Sequence, residues 1–140
     1  MNTLSIDLGV KEYTLNEACT VRFNPTDAGF LSKVYDAFET LAKAQAEYEK
    51  TLPELEDAKA VLALMRSKDQ AMREILDNVF DVPVCDALFD DMNVFALSSV
   101  GLPVWSNLLL AVIDECESDA RAKRGKTSAT VEKYMKKYHR

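Results

Sequence analysis

The opening of the chain alternates between apolar and polar residues. Leu4, Ile6 and Leu8 are separated by Ser5 and Asp7, Gly9 punctuates the run, and Tyr13 and Leu15 alternate again. Asn16 and Glu17 read as a turn, after which Cys19, Val21 and Phe23 resume the pattern. Successive side chains of a strand point to opposite faces, so this spacing puts the apolar residues of each run on one side. It predicts a β-hairpin or three-stranded antiparallel sheet over residues 1–23, with one face covered. So small a sheet needs a helix against its apolar side.

The period then changes from two to three and four. Asn24-Pro25-Thr26-Asp27 is a helix start, because the proline holds Asn24 extended and Thr26 or Asp27 offers a capping oxygen. The helix is expected to run to about Lys50. Along it Leu31, Val34, Phe38, Leu41, Gln45 and Tyr48 occupy heptad core positions with one polar member. The stripe packs either on the sheet and the next helix or against another molecule, and it is short for a coiled coil.

Thr51-Leu52-Pro53 marks a break. A second helix is predicted from about Pro53 to Asn78, with Leu55, Ala58, Leu62, Met65, Met72, Ile75, Leu76 and Val79 as its apolar face. Its middle, Arg66-Ser67-Lys68-Asp69-Gln70, reads as solvated. Asp81-Val82-Pro83 opens a short third helix through Phe89, and Gly101-Leu102-Pro103 separates Met92 to Val100 from a last helix. That helix is apolar around most of its circumference, through Val104, Trp105, Leu108, Leu109, Val112, Ile113 and Cys116, and is expected at the centre. Trp105 reads as a core anchor in preference to a binding platform.

The fold class is therefore α+β, a small N-terminal sheet followed by a bundle of about four helices and a basic C-terminal tail. Residues 1–120 are expected as one domain, with 1–23 β and 24–120 helical, and 121–140 as a tail hinged at Gly125-Lys126-Thr127-Ser128. A chain of 140 residues that is 48% hydrophobic, with only four Gly and four Pro, supports one real core. The start lacks the pattern of a signal peptide, and the longest apolar run, Leu108 to Ile113, is far below the ~20 residues a membrane helix needs. The expectation is a soluble, cytoplasmic protein with no membrane partner. Cys19, Cys85 and Cys116 have no CxxC spacing and His139 is the single histidine, so no metal site is expected and the thiols read as structural.

Charge changes the picture. Residues 121–140 hold Arg121, Lys123, Arg124, Lys126, Lys133, Lys136, Lys137 and Arg140 against Glu132 alone, eight minus one, or +7. The first 120 residues hold the other nine Lys/Arg against 22 Asp/Glu, or −13, so the overall −6 hides two opposed parts. A chain polarised in this way is built to meet itself or a partner. The basic residues, with Tyr134 and Tyr138, are the candidate partner-binding residues. Val131, Tyr134, Met135 and Tyr138 share one face at helical spacing, which predicts an amphipathic turn or two.

Lysines with stacking tyrosines suit nucleic acid, but an acidic body repels a polyanion. The preferred reading is a peptide that folds onto an acidic protein surface in this molecule, a copy or a partner. Carboxylates gather at Asp86, Asp90 and Asp91 and at Asp114, Glu115, Glu117 and Asp119. Their spacings match no calcium loop and no phosphate cradle accompanies them, so they read as a solvated face or a dock for a basic segment. No catalytic, cofactor-binding or metal-binding residue is assigned, and the expected class is non-enzymatic.

Several stretches together carry a family resemblance. They are the opening alternation, Phe23-Asn24-Pro25-Thr26-Asp27, Val84-Cys85-Asp86-Ala87-Leu88-Phe89 and Met92-Asn93-Val94-Phe95-Ala96. Gly101-Leu102-Pro103-Val104-Trp105-Ser106-Asn107-Leu108-Leu109 and Lys133-Tyr134-Met135-Lys136-Lys137-Tyr138-His139-Arg140 complete the set. The ensemble resembles a small family from tailed bacteriophages and prophages of gut Firmicutes, similar in kind to tail assembly chaperones. The resemblance implies a protein in the host bacterial cytoplasm that coats the helical tape-measure protein, or another tail protein, and self-associates. It implies no catalytic residues. The −13 body supports a second expectation, a phage-encoded inhibitor that occludes a host protein with its acidic surface.

Overall fold

The computed structural model describes residues 1–138. Two strands, β1 (Lys11–Leu15) and β2 (Cys19–Phe23), form an antiparallel hairpin with Tyr13 opposite Val21. Asn16 and Glu17 both adopt positive φ, 49° and 58°, and the Ala18 amide donates to the Leu15 carbonyl at 2.9 Å. The predicted turn is therefore present, and the sheet stops at two strands. Leu4, Ile6 and Leu8 do not join it. Gly9 takes φ +69°, a conformation glycine tolerates, and a Cβ there would sit 2.9 Å from the Asn24 amide nitrogen. That amide donates to the Leu8 carbonyl at 2.8 Å. The arm is turned aside at this point and pairs with neither strand.

Helix α1 (Ala28–Thr51) begins where the sequence places it, with the Asp27 carboxylate accepting from the Gly29 amide at 2.9 Å. Its stripe faces inward. Val34, Leu41 and Tyr48 are buried, and Leu31 and Phe38 pack against the core. The intermolecular alternative for this stripe is overturned. Its polar member has an internal partner, since Gln45 Oε1 accepts from Trp105 Nε1 at 3.0 Å. Trp105 itself is 2% exposed and meets Phe38 edge-on at 5.2 Å. A buried indole N–H finds an acceptor, and the heptad interruption is that acceptor.

A single 3-10 turn, Leu52–Glu54, takes up Pro53, and α2 (Ala58–Phe80) starts five residues later than the sequence reading placed it. Asp57 sets the start by accepting from the Lys59 amide at 3.0 Å, and Asp81 ends the helix with φ +58°. The short helix α3 (Val84–Phe89) and the long α4 (Val104–Lys123) follow as expected. Residues 90–103 between them are irregular but pinned. The Val104 amide donates to Ala96, the Ser98 amide to Leu102, and Leu97 bridges Pro103.

The tail differs most from the reading. Helix α4 passes residue 120 without interruption to Lys123, and Lys126–Tyr138 forms α5. The break between them is confined to Arg124 and Gly125, where Gly125 takes φ +86°. Lys126 and Thr127, read as part of a hinge, belong to α5. The molecule is α+β, with a two-stranded sheet followed by five α-helices among the described residues. Its core runs from Val21 and Phe23 through Leu41, Leu76 and Leu109. No helix among the described residues is long and apolar enough to cross a membrane.

Candidate interaction surfaces

Two clusters of charge close the fold. In the first, Arg73 on α2 is only 8% exposed. Its Nε donates to Asp69 Oδ2 at 3.0 Å and one terminal nitrogen to Asp86 Oδ1 at 3.0 Å. The other terminal nitrogen donates to the Asp90 and Met92 carbonyls at 2.6 and 2.7 Å. Asp69 Oδ1 also accepts the Val94 amide at 2.7 Å, and Asn93 donates to the Met65 carbonyl at 3.0 Å. The middle of α2 is therefore solvated at Arg66, Ser67 and Gln70 as read, but not at Asp69. Its Asp69 and Arg73 hold the loop after α3, supplying acceptors and donors that an irregular buried backbone needs. A signal was present, because Asp69 falls on the apolar stripe that runs through Met65, Met72 and Leu76.

In the second cluster the hairpin docks on α4. Lys11 Nζ reaches Asp119 Oδ1 at 2.7 Å and the Tyr13 hydroxyl donates to Glu115 at 2.6 Å. Two residues of strand advance about 6.7 Å and four of helix about 6 Å, so the pairs 11/13 and 115/119 match in pitch. Lys123 stands 2.9 Å from the other oxygen of Asp119. The hydrogen bond from Lys11, then that of Lys123, holds the Asp119 carboxyl below the usual carboxylate range. The Lys11 ammonium is raised by the same bond. Burial, then the bond to Glu115, pushes the Tyr13 phenol up, so it remains a donor. Behind this contact Tyr13 stacks on Phe23 at 4.6 Å and Phe23 on Phe30 at 4.4 Å. Glu115 and Asp119 thus dock basic and hydroxyl groups of the hairpin, a correction to their reading as a solvated face. From the tail, Lys123 joins this dock.

The candidate partner-binding residues divide into two groups. Arg121, Lys123 and Arg124 belong to the end of α4, where Lys123 is engaged with Asp119 and Arg121 lies 3.9 Å from Glu117. Arg121 and Arg124 also line a cleft between the ends of α1 and α4. Lys126, Lys133, Tyr134, Lys136, Lys137 and Tyr138 are on α5, and Arg140 lies outside the described residues. Lys136 is 3.6 Å from Glu132, both well exposed.

Among the described residues, three groups of apolar side chains remain uncovered, besides single ones such as Tyr35, Leu62 and Val82. One is the arm, where Leu4 and Ile6 are 84% and 74% exposed and Leu8 and Val10 follow them. The second is the loop carrying Leu97, Val100 and Leu102. The third is α5, which presents Val131, Tyr134 and Met135 on one face. There is also a groove of about 490 Å³ between the hairpin turn, α3 and α4, floored by Leu15, Leu88, Phe89 and Leu108. The arm and the groove were not found as sites in the sequence. The one looked like a paired strand, and the other is assembled from three separate stretches.

The stretch of chain that supplies α3 and α4 to that groove carries one sign of charge. Between residues 74 and 120 it has Glu74, Asp77, Asp81, Asp86, Asp90, Asp91, Asp114, Glu115, Glu117 and Asp119, and no Lys or Arg. Burial raises all three thiols, with Cys85 and Cys116 in the core. Among the described residues no group of three or more His, Cys, Asp or Glu is placed to hold a metal ion. No protein-family model matches the chain, and comparisons with curated proteins and with solved structures found no match either.

Proposed function

We propose that this protein is a non-enzymatic, tail-assembly-chaperone-like protein of a tailed bacteriophage. It acts in the host cytoplasm by covering apolar surface on the tape-measure protein or another tail component. The observation that carries the reading is the uncovered apolar surface at the extremities of a body whose α1 and α4 stripes face its core. Large side chains on an arm, a loop and a helix are the kind of surface that marks a protein-binding site. A long amphipathic helix is covered by apolar contacts of this type. Charged contacts around them are screened by salt and individually weak, which suits a partner that is later released.

Co-expression of the tagged chain with the tape-measure protein of the same phage tests this. Co-purification of several copies that survives high salt supports it. A soluble tape-measure protein with no bound chain contradicts it. A second reading, an inhibitor that occludes a basic host protein, is favoured by the 74–120 region with its acids and no bases. It makes the opposite salt prediction, because binding between opposed charged faces collapses as ionic strength rises.

A further inference from the structure

The N-terminal arm and the hairpin each lack what the other carries. Residues 4–8 alternate as a strand does, with Leu4, Ile6 and Leu8 on one side and Ser5 and Asp7 on the other. They belong to neither strand of the sheet. Exposure rises outward through Val10, Leu8, Ile6 and Leu4, from 46% to 84%, so the arm leaves the body.

The hairpin is the converse, a sheet short of strands. Among the described residues it has two, with Val21 and Phe23 buried on its inner face. Two strands are marginal, and three with a covered face are not. Strand β2 runs beside α2 and α3, whereas β1 reaches α4 through the side chains of Lys11 and Tyr13. The outer edge of β1 therefore offers amides and carbonyls to a further strand. The charges that would guard such an edge are engaged, Lys11 with Asp119 and Glu12 with Arg22. Strand β1 has five residues, as does the arm segment 4–8, so each spans about 14 Å.

The arm is held away from the free edge of its own chain. Asn24, which follows β2, donates to the Leu8 carbonyl at 2.8 Å, and Asp7 accepts the Gly9 amide at 2.9 Å. These bonds fix an elbow on the β2 side of the hairpin, opposite the outer edge of β1. Leu8 and Val10 accordingly border a cleft with Phe23, Phe30 and Phe80.

We propose that the arm of one copy adds as a third strand to the outer edge of β1 of a second copy, which returns its own arm in the same way. Opposite residues of antiparallel strands share a face, so the apolar residues of the arm fall beside Tyr13 and Leu15. The register that sets Ile6 beside Leu15 and Leu8 beside Tyr13 also sets Asp7 against Thr14. The register that sets Ile6 beside Tyr13 opposes Asp7 to Glu12, and like charges directly opposite are unfavourable. In the favoured register Leu4 extends past Leu15 toward the groove, whose wall on the sheet side is Thr14, Leu15 and Asn16. The exchange uses the same surfaces on both copies and closes at the pair. It concerns the purified chain alone and does not rest on the tail-chaperone reading.

Sedimentation velocity of the full chain over a concentration series, with Ile6→Lys beside the parent, tests the pairing. Ile6 is exposed, so the variant should keep the circular dichroism of the parent. The parent should form dimers, and Ile6→Lys should raise the dissociation constant at least about tenfold, because each dimer loses two covered isoleucines. Isotope-filtered NMR of mixed labelled and unlabelled chains locates the contact. Methyl groups of Leu4, Ile6 and Leu8 in one copy should meet Tyr13, Thr14 or Leu15 in the other. A parent chain that stays monomeric at every concentration would overturn the proposal. So would dimers that Ile6→Lys does not weaken, or arm methyls that meet β1 only within their own chain.

Discussion

Arg73 and Lys136 are both cations one helical turn from a carboxylate, and they do opposite things. Arg73 is 8% exposed and holds two carboxylates and two carbonyls, at 2.6 to 3.0 Å. Lys136 lies 3.6 Å from Glu132 with both side chains largely in water. A charge taken out of water must be fully matched or it destabilises the fold. A charge left in water contributes little to the fold and remains available to another molecule. Position relative to the core therefore separates charge that closes this fold from charge that stays at its surface. The same distinction holds within the basic C-terminal segment, where Lys123 belongs to the first class and Lys136 to the second.

The sharpest way to break the comparison is Arg73→Ala. It leaves Asp69 without its cation and removes the donor to two carbonyls of the loop after α3, so a loss of about 3–5 kcal/mol is expected in denaturant unfolding. A loss no greater than that of a surface substitution would erase the distinction. Trp105→Phe is milder. It keeps the ring in the core and strips the donor from Gln45, and should cost about 1–2 kcal/mol. Pairing it with Gln45→Leu should cancel part of that cost in a double-mutant cycle.

The hairpin junction makes a pH prediction. Asp119 is held below its usual pKa, so its contribution is present above the ordinary carboxylate value and is lost as pH falls through the lower folded value. Lys11 is raised, so its contribution is complete below the ordinary lysine value and is lost as pH rises through the higher folded one. Parent and Asp119→Asn should therefore differ most near neutrality and converge in acid, which thermal unfolding across pH would show. The smallest effect should come from α5. Lys136→Glu with Lys137→Glu should shift stability by no more than about 0.5 kcal/mol.

Much of the fold was legible because its signals are local. The Asn24–Asp27 start, the α1 stripe and the glycine-proline boundary before α4 each lie within a few residues of what they determine. Gln45 was visible as an oddity, but its partner Trp105 lies 60 residues away and periodicity does not carry such pairings. Asp69 stood on an apolar stripe and was read with its polar neighbours, since the loop that needs its oxygen comes much later. Leu4, Ile6 and Leu8 have the alternation of a strand, but alternation does not supply a partner strand, and Gly9 turns them away. The tail residues were legible as a cluster in sequence, and the division between α4 and α5 was not. That division depends on Lys123 meeting Asp119 and on the single left-handed residue Gly125.

The claim that α5 serves association and not the fold is tested most directly by hydrogen exchange of the intact chain, dilute and concentrated. Short isolated helices are marginal in water. Amides of α1, α2 and α4 should exchange slowly at both concentrations, and those of α5 quickly when dilute. On concentration, protection should rise in α5. Protection of α5 equal to that of α4 in dilute solution, unchanged on concentration, would make the helix part of the fold and contradict the account.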